Sequence, residues 1–286
     1  MKDASQWVLH AFLSYLPHKE KEALLRFLPD KTKKELQTFP KVTTAISLDP
    51  FTFPTLLHEV HYSWFLPTLK SYTPKEGEFF LTALSPDQSK GLRKQEEILL
   101  SKIKITEIGK KFISFHLLQS LLGEENTLIP KEYLPDSELN ILALLKKKNL
   151  VLLTNYLSLY DLAAELRQIV ETKILKKIYS LLSEDQKNFI KTIMLQKEEL
   201  QLPRLRLDRR ELKQESLRSM LHMRGLTRLG IALSQEHPDL LWYVVHTLDI
   251  GRGTALIHAS KKKNEGKAKK ILQRQIVDLL PLIATP

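Results

Sequence analysis

The nearest approach to a metal centre in the sequence is His58-Glu59-Val60-His61. A zinc-protease helix places two histidines four residues apart, so that both face the ion, with a glutamate between them as base. Here the histidines are three apart, and one residue rather than two separates Glu59 from His61. Further ligands would be needed, and His116 is the sole other midchain histidine. Packing among neighbouring aromatic residues is the better reading, and no metal or cofactor is expected. Gly225 and Gly230 have phosphate-loop spacing, but Ile231 stands where the lysine is required. Gly251-Arg252-Gly253 lacks the third glycine of a dinucleotide fingerprint and reads as a corner between helices, where glycine takes positive φ cheaply. There is no Gly-x-Ser-x-Gly elbow. Cysteine is absent, which removes thiolate nucleophiles, Cys-ligated metals and disulfides. The expectation is a non-enzymatic protein with no small-molecule substrate.

The remaining chemistry is charge. The net charge is +11, and residues 201–286 carry 16 Lys/Arg against 8 Asp/Glu, so this last third supplies most of it. Lys261, Lys262, Lys263, Lys267, Lys269, Lys270 and Arg274 form a basic surface leading into a helix whose apolar stripe is Ala268, Ile271, Leu272, Ile276, Leu279 and Leu280. Such cations neutralise phosphates without reading sequence, which makes nucleic acid the alternative partner. No interleaved aromatics or helix-turn-helix spacing accompany them, and solvated helix faces have the same composition.

These residues need elements to hold them, and the elements are helices. Of the 286 residues, 56 are Leu and only 8 are Val, with 9 Gly. Leu loses little rotamer freedom in a helix, whereas Val is stiff and favours strands. Thr73-Pro74-Lys75-Glu76 and Ser85-Pro86-Asp87-Gln88 are helix starts with a capping hydroxyl, proline at the first position and a side chain able to reach back. Ser158-Leu159-Tyr160-Asp161 and Ser183-Glu184-Asp185-Gln186 are looser versions. From Leu159, apolar residues at Leu162, Leu166, Ile169, Val170, Ile174, Ile178 and Leu181 predict one amphipathic helix of five or six turns, with Glu165, Arg167, Glu171, Lys173 and Lys177 on its polar face.

A repeat at an offset of 57 residues matches Ser14-Tyr15, Pro17, Leu24, Phe27 and Pro29 to Ser71-Tyr72, Pro74, Leu81, Leu84 and Pro86. Short units of this kind stack on their neighbours as a superhelix, although shared helix punctuation gives the same matches. Pro40–Pro67 holds four prolines with Phe51, Phe53, Tyr62, Trp64 and Phe65, and reads as an ordered strap because flexible linkers are poor in aromatics. Leu202–Arg210 alternates apolar and charged residues after Pro203 and reads as an extended joint. The predicted architecture is all-α: stacked short helices in an armadillo-like superhelix with a C-terminal helical bundle. Its expected divisions are an N-terminal helical repeat (1–45), a central region with the strap (46–200) and a basic C-terminal domain (201–286). The longest uncharged stretches, Asn149–Tyr160 and Phe112–Gly123, have 12 residues each, short of the roughly 18 a spanning helix requires. With no signal-peptide pattern after Met1, the expected location is cytoplasmic, peripheral to a membrane at most.

Gln235-Glu236-His237-Pro238-Asp239-Leu240-Leu241-Trp242, continuing to Leu248-Asp249, resembles the Glu-His-Pro-Gln helix of flagellar motor-switch proteins of the FliG type, with Asp239 in place of the glutamine. In that family the motif opens a helix of a small armadillo-like repeat and helps form the surface that meets the next ring protein. Trp7–Leu36 is similar in pattern to the continuation of that repeat, which the cytoplasmic domain of some magnesium transporters also uses. The matches cover roughly 50 residues in inverted order, and 40–201 has no counterpart in the family. His61-Tyr62-Ser63-Trp64-Phe65-Leu66-Pro67 is faintly similar to a small adaptor of injectisome sorting platforms. The resemblance implies an adaptor in the cytoplasmic part of a type III secretion apparatus, binding other protein components. Its candidate surface is Glu236, His237, Pro238, Asp239 and Trp242, with Arg224, Arg228 and Arg252 as nearby charge. Leu240, Leu241, Val244, Val245 and Leu248 equally describe a buried stripe that needs no partner.

Overall fold

The computed structural model describes residues 9–10, 13, 18–37, 53–95, 103, 105–122, 128–195, 200, 203–207, 213–261 and 266–283. Among them every regular element is helical, so the chain is all-α. It falls into two compact units, Met1–Thr55 and Leu56–Pro286. In the first, α1 (His18–Arg26) and α2 (Asp30–Gln37) are separated at Pro29. Lys33 bonds Asp30 at 2.9 Å across the first turn of α2. Of the 57-residue repeat, Ser14, Tyr15 and Pro17 lie outside the described residues, as do 40–52 of the strap.

After α3 (Phe53–Glu59), the second unit runs through a 3-10 turn (Tyr62–Phe65), α4 (Leu66–Lys70), α5 (Pro74–Ala83), α6 (Pro86–Gln95), α7 (Glu107–Leu122) and two more 3-10 turns (Lys131–Tyr133 and Glu138–Leu144). Then follow α8 (Lys147–Leu166), α9 (Thr172–Ser180), α10 (Glu184–Met194), α11 (Gln214–Leu233), α12 (Pro238–Thr247), α13 (Ile250–Ser260) and α14 (Gly266–Ile283). The punctuation read from sequence is where these helices start. Thr73 and Glu76 form a reciprocal capping box, as do Ser183 and Gln186. Ser85 and Gln88 exchange the same pair of bonds at 3.0 and 3.3 Å. Each cap satisfies backbone N–H groups that the first turn leaves without partners, worth about 1 kcal/mol.

The helix expected to start at Ser158 does not start there. Ser158 sits inside α8, and its hydroxyl donates to the Asn155 carbonyl at 2.6 Å, a bond within the helix. Nor does the helix continue to Leu181: it ends at Leu166, and Val170 is 93% exposed in the turn before α9. Glu165, expected on the polar face, is buried. Its carboxylate accepts the backbone N–H groups of Leu205 (3.1 Å) and Leu207 (3.3 Å) and pairs with Arg204. The joint is thus strapped to α8: Leu205 and Leu207 are buried, Arg204 and Arg206 face outward, and Arg206 adopts φ 53° so that both flanking N–H groups converge on one carboxylate. That left-handed backbone costs about 1 kcal/mol for a residue with a Cβ, less than a buried carboxylate without donors. Leu202 and 208–210 lie outside the described residues.

The division expected at residue 200 does not separate cores. Leu150, Leu153 and Leu157 of α8 share one cluster with Leu226, Leu229 and Leu233 of α11, Leu256 of α13, and Leu272 and Ile276 of α14. A second cluster joins Leu162 and Leu166 of α8 to Ile178, Ile190 and Leu217. Burial of each such Leu or Ile side chain contributes about 2 kcal/mol, so α8 and α11 cannot be parted into two domains without exposing both clusters. Their close approach explains Gly225, where any Cβ would overlap the Thr154 carbonyl of α8. Where α8, α11 and α14 meet, Asp161 accepts from the fully buried Arg228 at 2.8 Å, and Arg228 also donates to Gln275 at 2.7 Å.

Candidate functional site

The surface expected around Glu236–Trp242 is largely occupied by the chain itself. Pro238 begins α12, and His237 caps it, its Nδ1 accepting the Asp239 N–H at 3.3 Å. Asp239 accepts the Ile129 N–H at 2.8 Å and so pins the segment before the second 3-10 turn. Glu236 pairs with Lys269 at 3.0 Å and accepts from Gln273 at 2.7 Å, fastening the end of α11 to α14. The Trp242 indole N–H donates to the Leu121 carbonyl at 3.4 Å, and its ring stacks on His246 at 4.0 Å. Pro238 alone of the five is exposed.

The three arginines differ. Arg228 is fully buried against Asp161, so it is not a surface charge: burying a guanidinium requires a carboxylate, and that pairing removes it from any partner's reach. Arg224 lies 3.9 Å from the same Asp161 and donates to the Pro203 carbonyl. Arg252 pairs with Asp249, the cap of α13, and donates to His222 Nε2 at 2.7 Å. Gly251 and Gly253 sit within the first turns of α13 rather than at a corner. A Cβ on Gly253 would collide with the Trp64 ring and lie 2.9 Å from the Val245 carbonyl, so the glycine admits Trp64.

Trp64 carries the described half of the strap. Its indole donates to the Leu248 carbonyl at 2.8 Å, and its ring lies 4.5 Å from His246, which is therefore flanked by Trp64 on one side and Trp242 on the other. The His246 Nδ1–H donates to the Trp242 carbonyl at 2.8 Å. Burial pushes the pKa of this imidazole down to about 4, against the opposing pull of that hydrogen bond.

His58 and His61 do not converge on a metal, and among the described residues no group of three or more His, Asp or Glu is placed to hold one. His61 instead opens a polar seam. Lys147 donates to His61 Nε2 at 2.7 Å, so Nδ1 carries the proton and donates to Ser63 Oγ at 2.9 Å. The Ser63 N–H, 3.3 Å from the same Nδ1, would need that nitrogen bare; the shorter Lys147 contact decides against it. Ser63 Oγ also accepts the Ile250 N–H at 2.8 Å. Lys147 reaches Asp249 at 3.6 Å, Asp249 holds Arg252, and Arg252 donates to His222, whose Nδ1–H then donates to Asn155 Oδ1 at 3.1 Å. Burial and then the Lys147 charge lower the His61 pKa to about 4, while burial and Arg252 lower that of His222. Both imidazoles are neutral at neutral pH with both nitrogens engaged, and the seam braces the starts of α8 and α13.

Of the basic C-terminal surface, Lys262 and Lys263 lie outside the described residues. Lys269 is taken up by Glu236, whereas Lys261, Lys267, Lys270 and Arg274 are exposed.

The residues that sequence reasoning missed are on α7. Ile108 is 81% and Phe112 70% exposed, one helical turn apart, with Phe115 a further turn along the same side. The opposite side buries Ser114, Leu117 and Leu118, and α7 packs on α5, where Phe79 is also 44% exposed. The signal was present as the uncharged run from Phe112, with apolar residues on more than one side of the helix; such a helix has more greasy surface than one neighbour can cover. Compared with protein-family models, curated proteins and solved structures, the chain matches none.

Proposed function

We propose that this chain is a helical adaptor that binds another protein through the outward face of α7. One observation carries the reading: Ile108 and Phe112 stand largely exposed in one line on a helix whose other side is packed. Isolated exposed apolar residues are ordinary on a protein surface; a line of them on one helix marks an interaction site. Covering the two side chains removes enough apolar area to contribute roughly 3 to 5 kcal/mol before the costs of association. The chain carries a net charge of +11, which favours a partner helix with an apolar ridge and acidic flanks. The resemblance around Glu236–Asp249 supplies the first partners to try: protein components of a type III secretion apparatus, at the cytoplasmic face of the inner membrane. The armadillo-like stacking belongs to the same reading.

The test replaces Phe112 with a photocrosslinking phenylalanine in cells, with the isolated exposed Val170 as the comparison position. One protein crosslinked from position 112 and not from 170, and lost from Ile108→Ser/Phe112→Ser, supports the reading. Equal crosslinking from both positions overturns it. The exposed Lys261, Lys267, Lys270 and Arg274 support nucleic acid as the second reading, and absence of binding to random duplex DNA at about 50 mM salt removes it.

A further inference from the structure

Between α8, the turn joining α9 to α10, and α11 lies a cleft of about 330 Å³. Its apolar wall is Leu181, Leu182, Leu217 and Leu221, and its polar wall includes Asn155, Gln186, Gln214 and Arg218. Two amides of the polar wall offer donors, because their oxygens are already bonded. Asn155 Oδ1 is taken by His222, which leaves the Asn155 NH₂ group for the cleft. Gln186 Oε1 is taken by the Ser183 N–H in the capping box, which leaves its NH₂ group likewise. The hydroxyls of Ser158 and Ser180, which also line the cleft, give their protons to the carbonyls of Asn155 and Lys177, so their oxygens face it as acceptors and lie outside the part that would hold an anion. Among the described residues Arg218 is the one charged member of the lining and pairs with no carboxylate, whereas Glu184 and Asp185, at the start of α10, do not line the cleft. Glu184 is paired with Lys187.

We infer that this cleft binds a carboxylate carried on a small apolar body, the carboxylate on Arg218 and the amide NH₂ groups of Asn155 and Gln186, the body on the four leucines. A guanidinium meets a carboxylate through two parallel N–H bonds, and amide donors in a partly enclosed site add to that preference. The volume lies at the lower end of ligand clefts, which suits a body of the size of leucine or a phenyl ring. A dianionic phosphate leaves one charge uncompensated here, since the described lining holds a single cation. The site is separate from α7 and does not depend on the protein-binding reading.

The chemistry is shared by a free acid and by the C-terminus of a peptide, so the test has two arms. Binding of N-acetyl-leucine, and of a pentapeptide ending in leucine, is measured by calorimetry on the full chain, with the corresponding C-terminal amides as controls. Saturable binding in either arm, at least tenfold weaker for its amide, supports the site, and the tighter arm identifies the source. Arg218→Gln, an exposed substitution that leaves the fold intact, abolishes the discrimination between acid and amide; Arg218→Lys retains part of it. No binding in both arms, equal binding of acid and amide, or discrimination that survives Arg218→Gln overturns the inference.

Discussion

Along α12, Trp242 gives its N–H to Leu121 and its ring to His246, and His246 in turn lies against Trp64 of the strap. Along α7, Ile108 and Phe112 meet little but solvent. Both helices are rich in apolar and aromatic side chains, and by composition either one qualifies as an interaction surface. The difference lies in what the rest of the chain does with them. α12 has 3-10 turns, α13 and the strap around it, so its aromatics are spent on internal order. α7 has α5 on one side and apolar residues left over on the other. A motif that looks like a binding helix is therefore a weaker guide to a free surface than apolar residues that the fold has failed to cover.

The sharpest way to break this contrast is to remove the ring that seals α12. Trp64→Ala deletes a half-buried hydrogen bond, the contact with His246 and the filling against Gly253, and is expected to cost about 3 kcal/mol in urea unfolding. A cost under about 1 kcal/mol means that the strap does not hold α12. Acidification attacks the same place. His246 has a folded pKa of about 4, below its ordinary 6.5, so the fold keeps it neutral. The unfolded chain takes up the proton first, and stability that is full above pH 6.5 is lost as the pH falls from 6.5 towards 4. At 1.36 kcal/mol per unit of pKa shift, His246 accounts for up to about 3 kcal/mol. His61 acts in the same direction with a smaller share because it is half exposed. A pH series of unfolding midpoints checks this, and His246→Phe, which keeps the ring, flattens the slope.

Smaller effects sharpen the comparison. Asp239→Ala leaves the Ile129 N–H without its acceptor and is expected to cost about 1 to 2 kcal/mol, with the loss centred on the segment before the 3-10 turn in amide exchange. Were Asp239 a partner-facing residue, stability would not change. Smallest of all is Ile108→Ser/Phe112→Ser on α7, which is expected to leave stability within about 0.5 kcal/mol of the parent while abolishing partner capture. A large loss of stability instead would show that this face is covered in the folded protein.

How far the sequence could be read depended on whether a feature is local. Capping boxes at Thr73, Ser85 and Ser183 were legible because the groups they satisfy lie three residues away. Ser158 had the same residue types, but no break in the helix preceded it, and its hydroxyl turned back to Asn155. Glu165 read as a solvated charge because its donors, Leu205 and Leu207, are 40 and 42 residues distant. Arg228 failed for the same reason: its carboxylate is on α8.

The sequence by itself determined that a Leu-rich, Val-poor composition folds as helices, and where several of them begin. Helix propensity and capping act within a turn or two, so residue types at fixed spacing suffice. Which faces those helices bury was decided only by the tertiary structure. Burial is a contest among all the apolar surfaces of the chain for a limited number of neighbours, and here α12 was enclosed while α7 kept a face open.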